Sequence, residues 1–152
     1  MDWLSLGYFG LFLACFLAAT ILPFSSEAIF TAAILSPVDP LLALVFATLG
    51  NWLGGMSSYW LGWLGNLNRI KKWLSVSEQK IEVWERYATQ YGYWLALLCW
   101  LPFTGDMIAL ALGLFRVNLI LSTFLMLVGK MLRYMVVMYL AQVLFTLSLI
   151  HI

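Results

Sequence analysis

The sequence predicts an all-α integral membrane protein with two inverted repeats, each a re-entrant helical hairpin plus one transmembrane helix. Two observations lead to this fold class. The 152-residue chain is 64% hydrophobic and 10% charged, with a mean hydropathy of +0.95, whereas soluble domains carry about 25% charged residues. A motif containing a proline and an acid also occurs twice within apolar sequence, at 22–27 and 101–106.

The two motifs read Leu-Pro-Phe-Ser-Ser-Glu and Leu-Pro-Phe-Thr-Gly-Asp, and the second begins 79 residues after the first, at 101 rather than 22. Proline interrupts helical hydrogen bonding, and an acid at membrane depth costs about 2.5–3.5 kcal/mol. At the same offset, turn-like residues 37–39 match 116–118, and Gly50 matches Gly129. These correspondences predict an internal duplication.

The elements follow in order within a single membrane domain, residues 1–152. Repeat 1 (3–64) consists of hairpin arms over 3–22 and 27–36 and an apolar run over 41–64. That run is long enough to span, since about 20 residues cross the bilayer core. Repeat 2 (92–150) consists of short arms over 93–101 and 107–115 and a long apolar run over 119–150. The second pair of arms is too short for two spans, which predicts a re-entrant hairpin.

The segment between the repeats, 65–91, is predicted to be cytoplasmic. It holds five of the eight basic residues: Arg69, Lys71, Lys72, Lys80 and Arg86. By the positive-inside rule, such a loop stays on the cytoplasmic side. Apolar residues at helical spacing predict a short amphipathic helix near 77–91. One span per repeat then places the two repeats in opposite orientations.

Four charged residues fall where lipid is expected: Glu27, Asp106, Lys130 and Arg133. Intramembrane ionisable residues are candidates for function by default. The two acids are predicted proton-binding or gating groups, and the two bases are predicted counter-ions or phosphate ligands. An alternative stays open, in which the four charges form internal ion pairs that hold the hairpins to the spans.

Two further sets of residues complete the predicted site. The breaks in the hairpins are assigned to Pro23, Ser25, Ser26, Pro102, Thr104 and Gly105. Small residues at every fourth position of the first span predict close helix packing. This packing set consists of Gly50, Gly54, Ser58 and Gly62, together with Asn51.

Other classes of function find little support in the sequence. The net charge of +1 gives no indication of nucleic-acid binding. Cys15 and Cys99 lie in apolar runs and are expected to be unpaired, buried side chains. The single histidine, His151, is a tail residue, and no metal-ligand spacing, phosphate-binding glycine loop or Gly-x-Ser-x-Gly motif is present. We therefore expect neither an enzyme nor a metal or cofactor.

The motifs together resemble the DedA/VTT (SNARE-associated) superfamily, especially its small YqaA-type bacterial branch. The resemblance rests on Pro-x-Ser-Ser-Glu, Gly-Asn-x-x-Gly-Gly, Pro-x-x-Gly-Asp-x(6)-Gly-x-x-Arg and Gly-Lys-x-x-Arg-Tyr, over roughly residues 20–140. It implies a multi-pass bacterial inner-membrane protein of membrane homeostasis, with Glu27 as the carboxylate of the first hairpin. Larger members carry an arginine after the glycine of the second hairpin, where this chain has Asp106.

These observations predict a translocator or scramblase of an anionic, phosphate-bearing lipid, with proton coupling as one option. The expected partners are membrane lipids, an anionic lipid headgroup and protons, and a homodimer is left open. The alternatives are a structural or interaction subunit of the membrane and a proton-coupled carrier of a small solute.

Overall fold

The computed structural model describes residues 3–20, 26–65, 78–101 and 104–150, and these residues form helices without any strand. The prediction of an all-α protein is confirmed for this part of the chain. The helices are α1 (Trp3–Thr20), α2 (Ser26–Ile34), α3 (Pro40–Leu64), α4 (Glu78–Leu95), a 3₁₀ turn (Leu97–Trp100), α5 (Gly105–Leu114) and α6 (Leu119–Ile150). The predicted break residues Pro23, Ser25 and Pro102, residues 66–77 of the linker, and His151 lie outside the described residues.

Two of these helices are long and apolar enough to cross a membrane. They are α3, with 25 residues, and α6, whose apolar stretch covers Leu119–Leu149. At about 1.5 Å per residue, each exceeds the roughly 30 Å hydrocarbon core. The long run at the end of the sequence is therefore one continuous helix.

Both long helices begin with the same kind of side-chain cap. The backbone N–H of Leu41 donates to Asp39 Oδ1 at 2.8 Å, and the N–H of Ile120 donates to Asn118 Oδ1 at 3.0 Å. Aspartate and asparagine are favoured caps because their side-chain oxygens satisfy N–H groups that lack a partner within the helix. Asp39 and Asn118 are 79 residues apart, so the two caps occupy matching positions of the predicted repeats. The two copies thus fold alike at this point, while their inverted orientation stays a prediction.

Helix α4 departs from the predicted boundaries. It runs through Gly92 to Leu95 and is followed by the 3₁₀ turn, so the helix predicted near 77–91 continues into the apolar stretch 93–101, and the second hairpin stays a prediction. Gly92 does not interrupt the helix. A Cβ atom at this glycine would lie 2.9 Å from Val117 Cγ2. The glycine therefore permits close packing against Val117.

The chain forms two compact units, and each unit takes part of both long helices. The first unit comprises residues 1–54 and 130–152, and the second comprises residues 55–129. The predicted repeats at 3–64 and 92–150 divide the chain at other points and stay a prediction.

In the first unit, α1 packs against α2 and α3 packs closely against α1. The buried core of this unit consists of Leu11, Cys15, Phe30, Ala43, Ala47 and Tyr134. A Cβ atom at Gly50 would overlap the carbonyl oxygen of Phe12, and one at Gly54 would lie 2.8 Å from the carbonyl oxygen of Phe16. The small residues of α3 thus bring two helix backbones together, as in other small-xxx-small contacts.

In the second unit, α3 and α5 approach each other through glycines on both helices. A Cβ atom at Gly62 would overlap the Leu110 carbonyl oxygen, and one at Gly113 would overlap the Tyr59 carbonyl oxygen. Ser58 is also buried in this unit, with 8% of its surface exposed. The Tyr59 hydroxyl donates to the Val117 carbonyl oxygen at 2.6 Å. This buried hydrogen bond fixes the turn that follows α5.

Candidate functional site

Three helices of the first unit bring the predicted polar residues together. Ser26 and Glu27 lie in the first turn of α2. Asn51 lies in the middle of α3. Lys130 and Arg133 lie three residues apart on α6, so they share one helix face.

The centre of this cluster is an ion pair between Arg133 and Glu27. Arg133 Nη2 contacts Glu27 Oε1, and the two side chains are 12% and 22% exposed. The same guanidinium nitrogen donates to Ser26 Oγ at 3.2 Å. The side chain from α6 therefore binds two neighbouring residues at the start of α2.

Lys130 is buried more deeply than the arginine, with 1% of its surface exposed. Its Nζ donates to the backbone carbonyl oxygen of Asn51 at 2.7 Å. The Asn51 side chain in turn donates from Nδ2 to Ser26 Oγ at 3.0 Å. Ser26 thus accepts hydrogen bonds from both α3 and α6. The five residues form one connected network.

Several buried polar atoms around this network have bonding capacity left over. Within the described residues, Thr48 Oγ1, Asn51 Oδ1, Arg133 Nε and the Tyr134 hydroxyl have no hydrogen-bond partner. Buried polar groups in native proteins are nearly always satisfied by protein, water or ligand. The first unit therefore has both hydrogen-bond donors and acceptors available for a polar ligand near the ion pair.

Tyr134 and Thr48 were not among the predicted site residues, although Tyr134 is the last residue of the Gly-Lys-x-x-Arg-Tyr motif. Tyr134 is fully buried and packs edge-on against the Phe30 ring, with centroids 5.0 Å apart. It lies one helical turn after Lys130, and Thr48 lies three residues before Asn51. Both spacings place a residue on the same helix face as its charged or amide neighbour. That spacing was the available signal.

The second predicted carboxylate, Asp106, belongs to the second unit. It lies in the first turn of α5 and is half-buried. Gly105 beside it is buried, and a Cβ atom there would overlap the Cys99 carbonyl oxygen. The second break therefore needs a residue without a side chain at this position.

Thr104, one of the predicted break residues, lies directly before α5. Thr104 does occupy the N-cap position, but its side chain makes no capping hydrogen bond. Its φ of −86° and ψ of −20° are helical, whereas a capping side chain requires an extended backbone. The hydroxyl is therefore not directed at the amides of the first turn.

The positive charges of the cluster suit an anion. Across the parts of the chain that the structure describes, no three His, Cys, Asp or Glu side chains lie close enough to hold a metal ion. A guanidinium, an ammonium and the N-terminal turn of a nine-residue helix all favour negative charge. Glu27 is the anion that the guanidinium binds in this structure.

Two of the known proteins similar to this chain are named inner membrane protein YqaA. Inner membrane protein YqaA of Escherichia coli (strain K12) is 35% identical over 134 residues, which is 88% of this chain and 89% of that protein. Its counterpart in Shigella flexneri matches equally well. A Haemophilus influenzae protein is 32% identical over 142 residues, covering 86% of this chain and 85% of that protein.

No family model matches the chain, and no solved structure matches it. The identity and the coverage of the YqaA proteins nevertheless exceed what chance similarity between apolar sequences produces. The shared residues extend over most of the length of both chains. The chain therefore belongs to the YqaA-type branch of the DedA family of bacterial membrane proteins.

Proposed function

We propose that this protein translocates an anionic, phosphate-bearing lipid across the bacterial inner membrane, without acting as an enzyme. The observation that carries the proposal is the Arg133–Glu27 ion pair at the start of α2. A guanidinium binds phosphate with the same paired geometry that it uses for a carboxylate. A lipid phosphate is therefore the ligand class that can replace Glu27 on Arg133.

In this mechanism the ion pair is a gate. With the pair closed, Arg133 is occupied by Glu27 and by Ser26. When Glu27 takes up a proton, its charge is lost and the guanidinium becomes available to a phosphate. Lys130 and Asn51 lie next to the pair through the Ser26 network. Proton binding and lipid binding would then be mutually linked.

The buried polar atoms support a path that holds a headgroup. Thr48 Oγ1, Asn51 Oδ1 and the Tyr134 hydroxyl have no partner among the described residues, and all three side chains are almost completely buried. Polar groups at membrane depth are tolerated where they face protein or a hydrated cavity. Asp106 is assigned the corresponding gating role in the second unit, in keeping with its matching place in the repeated motif.

The proposed topology has the residue 65–91 loop in the cytoplasm and two re-entrant hairpins of opposite orientation. Single cysteines at Asp2, Ser36 and Gln79 test it in a background without Cys15 and Cys99. Asp2→Cys and Ser36→Cys should react with an impermeant thiol reagent from the periplasm, and Gln79→Cys only from the cytoplasm. Opposite labelling of Asp2→Cys and Ser36→Cys would show a full span in place of the first re-entrant hairpin.

The translocation itself is tested by reconstitution into liposomes with a fluorescent phosphatidylglycerol, whose flip is followed by dithionite quenching. Arg133→Gln should slow the flip by about tenfold or more, since a hydrogen bond to a charged group contributes about 1.5–3 kcal/mol. Glu27→Gln removes the charge as protonation does, so it should leave the gate open and should not slow the flip. Arg116→Gln is the matched control, because it removes an exposed arginine from the second unit. If Arg133→Gln moves lipid as fast as the control, or if Glu27→Gln slows the flip, the assigned roles are wrong.

The same ion pair also favours a second function, a structural subunit whose charges only hold helices together. The pair is closed and joined to the Ser26 network, as a purely structural contact would be. The double variant Glu27→Arg with Arg133→Glu separates the two functions. Restored folding with restored activity in cells favours the structural role, whereas restored folding without lipid flip favours translocation.

A further inference from the structure

The second unit contains a concave apolar surface that the proposed translocation does not use. It lies between α4 and α5 and has a volume of about 580 Å³, within the roughly 300–1,000 Å³ range typical of ligand sites. Its walls are aromatic and aliphatic on both sides. The lining includes Tyr87, Tyr91 and Trp94 of α4 and Ile108, Ala111 and Phe115 after the second break.

Three aromatic side chains that α4 contributes to this groove are largely exposed. Tyr87, Tyr91 and Trp94 are 62%, 53% and 57% exposed. They lie at intervals of four and three residues, so they form one stripe along the helix. Tyrosine and tryptophan are enriched where a membrane surface meets water. This stripe therefore matches the level of a bilayer at which headgroups give way to acyl chains.

A polar depression adjoins the apolar groove on the same helix. It has a volume of about 330 Å³ and is lined by Glu82, Val83, Arg86, Tyr87 and Gln90. Tyr87 lines both surfaces, which makes them neighbours. Arg86 is exposed and supplies a guanidinium one turn from the aromatic stripe.

We propose that this bipartite surface is a binding site for one molecule of an anionic phospholipid. One acyl chain occupies the groove between α4 and α5, and the phosphate binds Arg86, with Gln90 as a second donor. The polar end presents the Arg86 guanidinium and the Gln90 amide, which are donors to a phosphate, together with the Glu82 carboxylate, beside an apolar channel. The site is independent of the Glu27–Arg133 gate, since all its residues belong to the second unit.

The acid at the polar end provides an internal check on this assignment. Glu82 lies one turn before Arg86 and lines the same depression. A carboxylate so close to a bound phosphate opposes it by like-charge repulsion. Removal of Glu82 should therefore strengthen the binding of an anionic lipid, while removal of Arg86 should weaken it. A general affinity for lipid would respond to neither change.

The test uses the purified full chain in detergent micelles with phosphatidylglycerol that carries a diazirine in one acyl chain. Photolysis should attach the lipid mainly to peptides covering 87–95 and 108–115. Arg86→Gln should lower the labelling about fivefold, since one basic residue near an anionic surface contributes about 1 kcal/mol. Glu82→Gln should raise it. The corresponding phosphatidylcholine probe should show neither response.

A second set of variants addresses the apolar half of the site. Ala111→Phe should fill the groove and reduce labelling by both probes, whereas Ala32→Phe, at an exposed position of α2, should not. If Ala111→Phe fails to give a monodisperse protein, Tyr91→Ser tests the same groove at an exposed position. Labelling spread evenly over exposed helix surfaces such as 140–149, or labelling unaffected by Arg86→Gln, would overturn the proposal.

Discussion

The ion pair between Glu27 and Arg133 makes a quantitative prediction about stability. We consider Glu27→Gln and Arg133→Met, singly and together. Each single change leaves the other partner charged and largely buried without its counter-ion, which is the costly situation for a buried pair. The double change removes both charges and leaves two neutral side chains of similar size.

The structure sets the expected magnitude. Removal of one partner from a fully buried pair costs about 3–5 kcal/mol. Here the two side chains keep 12% and 22% exposure, so water screens part of the remaining charge. We therefore expect each single variant to lose about 2 kcal/mol of unfolding free energy, below the range for fully buried pairs. The double variant should also lose about 2 kcal/mol, which is about 2 kcal/mol less than the sum of the two single losses. This coupling energy is within the usual range for contacting residues.

The assay is unfolding by sodium dodecyl sulfate in mixed micelles, followed by the fluorescence of the eight tryptophans. A second cycle combines Arg133→Met with Asp39→Asn as its control. Asp39 lies in the same unit and accepts the Leu41 N–H at the start of α3, so it belongs to a different contact. Its cycle should be additive within about 0.5 kcal/mol.

The reasoning would be refuted by either of two results. Single variants that each change the unfolding free energy by less than about 0.5 kcal/mol would place the pair among weak, solvent-screened contacts. A double variant that loses the sum of the two single effects would show that Glu27 and Arg133 do not interact. In both cases the gate proposed for lipid entry would lose its structural basis.

Two further predictions use the same unfolding assay. Gly50→Ala should cost about 1–3 kcal/mol because the added methyl group overlaps the Phe12 carbonyl oxygen and the packing must yield. Gly10→Ala, where a Cβ atom meets nothing within 4 Å, should instead raise the unfolding free energy by about 0.5–1 kcal/mol, because alanine favours the helix. Equal effects of the two changes would contradict the close packing at Gly50. Asp39→Ala and Asn118→Ala should each cost about 1 kcal/mol through loss of a helix cap, and an effect at only one of them would mean that the two long helices start differently.

Much of the helical architecture was predictable because its determinants are local in sequence. The apolar run at 41–64 became α3, with its start displaced by only one residue, and 119–150 became α6. Side-chain caps also depend on residues two or three positions apart, so Asp39 and Asn118 could fix both starts. The boundary of α4 could not be predicted in this way. Gly92 is tolerated in the helix because of Val117, which is distant in sequence.

The sequence by itself determined which residues carry charge into apolar surroundings, and it indicated that they form two related sets. It did so because the cost of an acid or a base in lipid depends on residue type alone. It left open which acid meets which base, since Glu27 and Asp106 occupy matching places in the repeated motif.

Only the tertiary structure decided that Arg133 binds Glu27 and Ser26, and that Lys130 binds the backbone of Asn51. The physical reason is that these contacts join residues more than 75 positions apart in sequence. Their formation requires α2, α3 and α6 to pack side by side in the first unit. The choice of partner is thus a property of packing, whereas the presence of the charges is a property of the sequence.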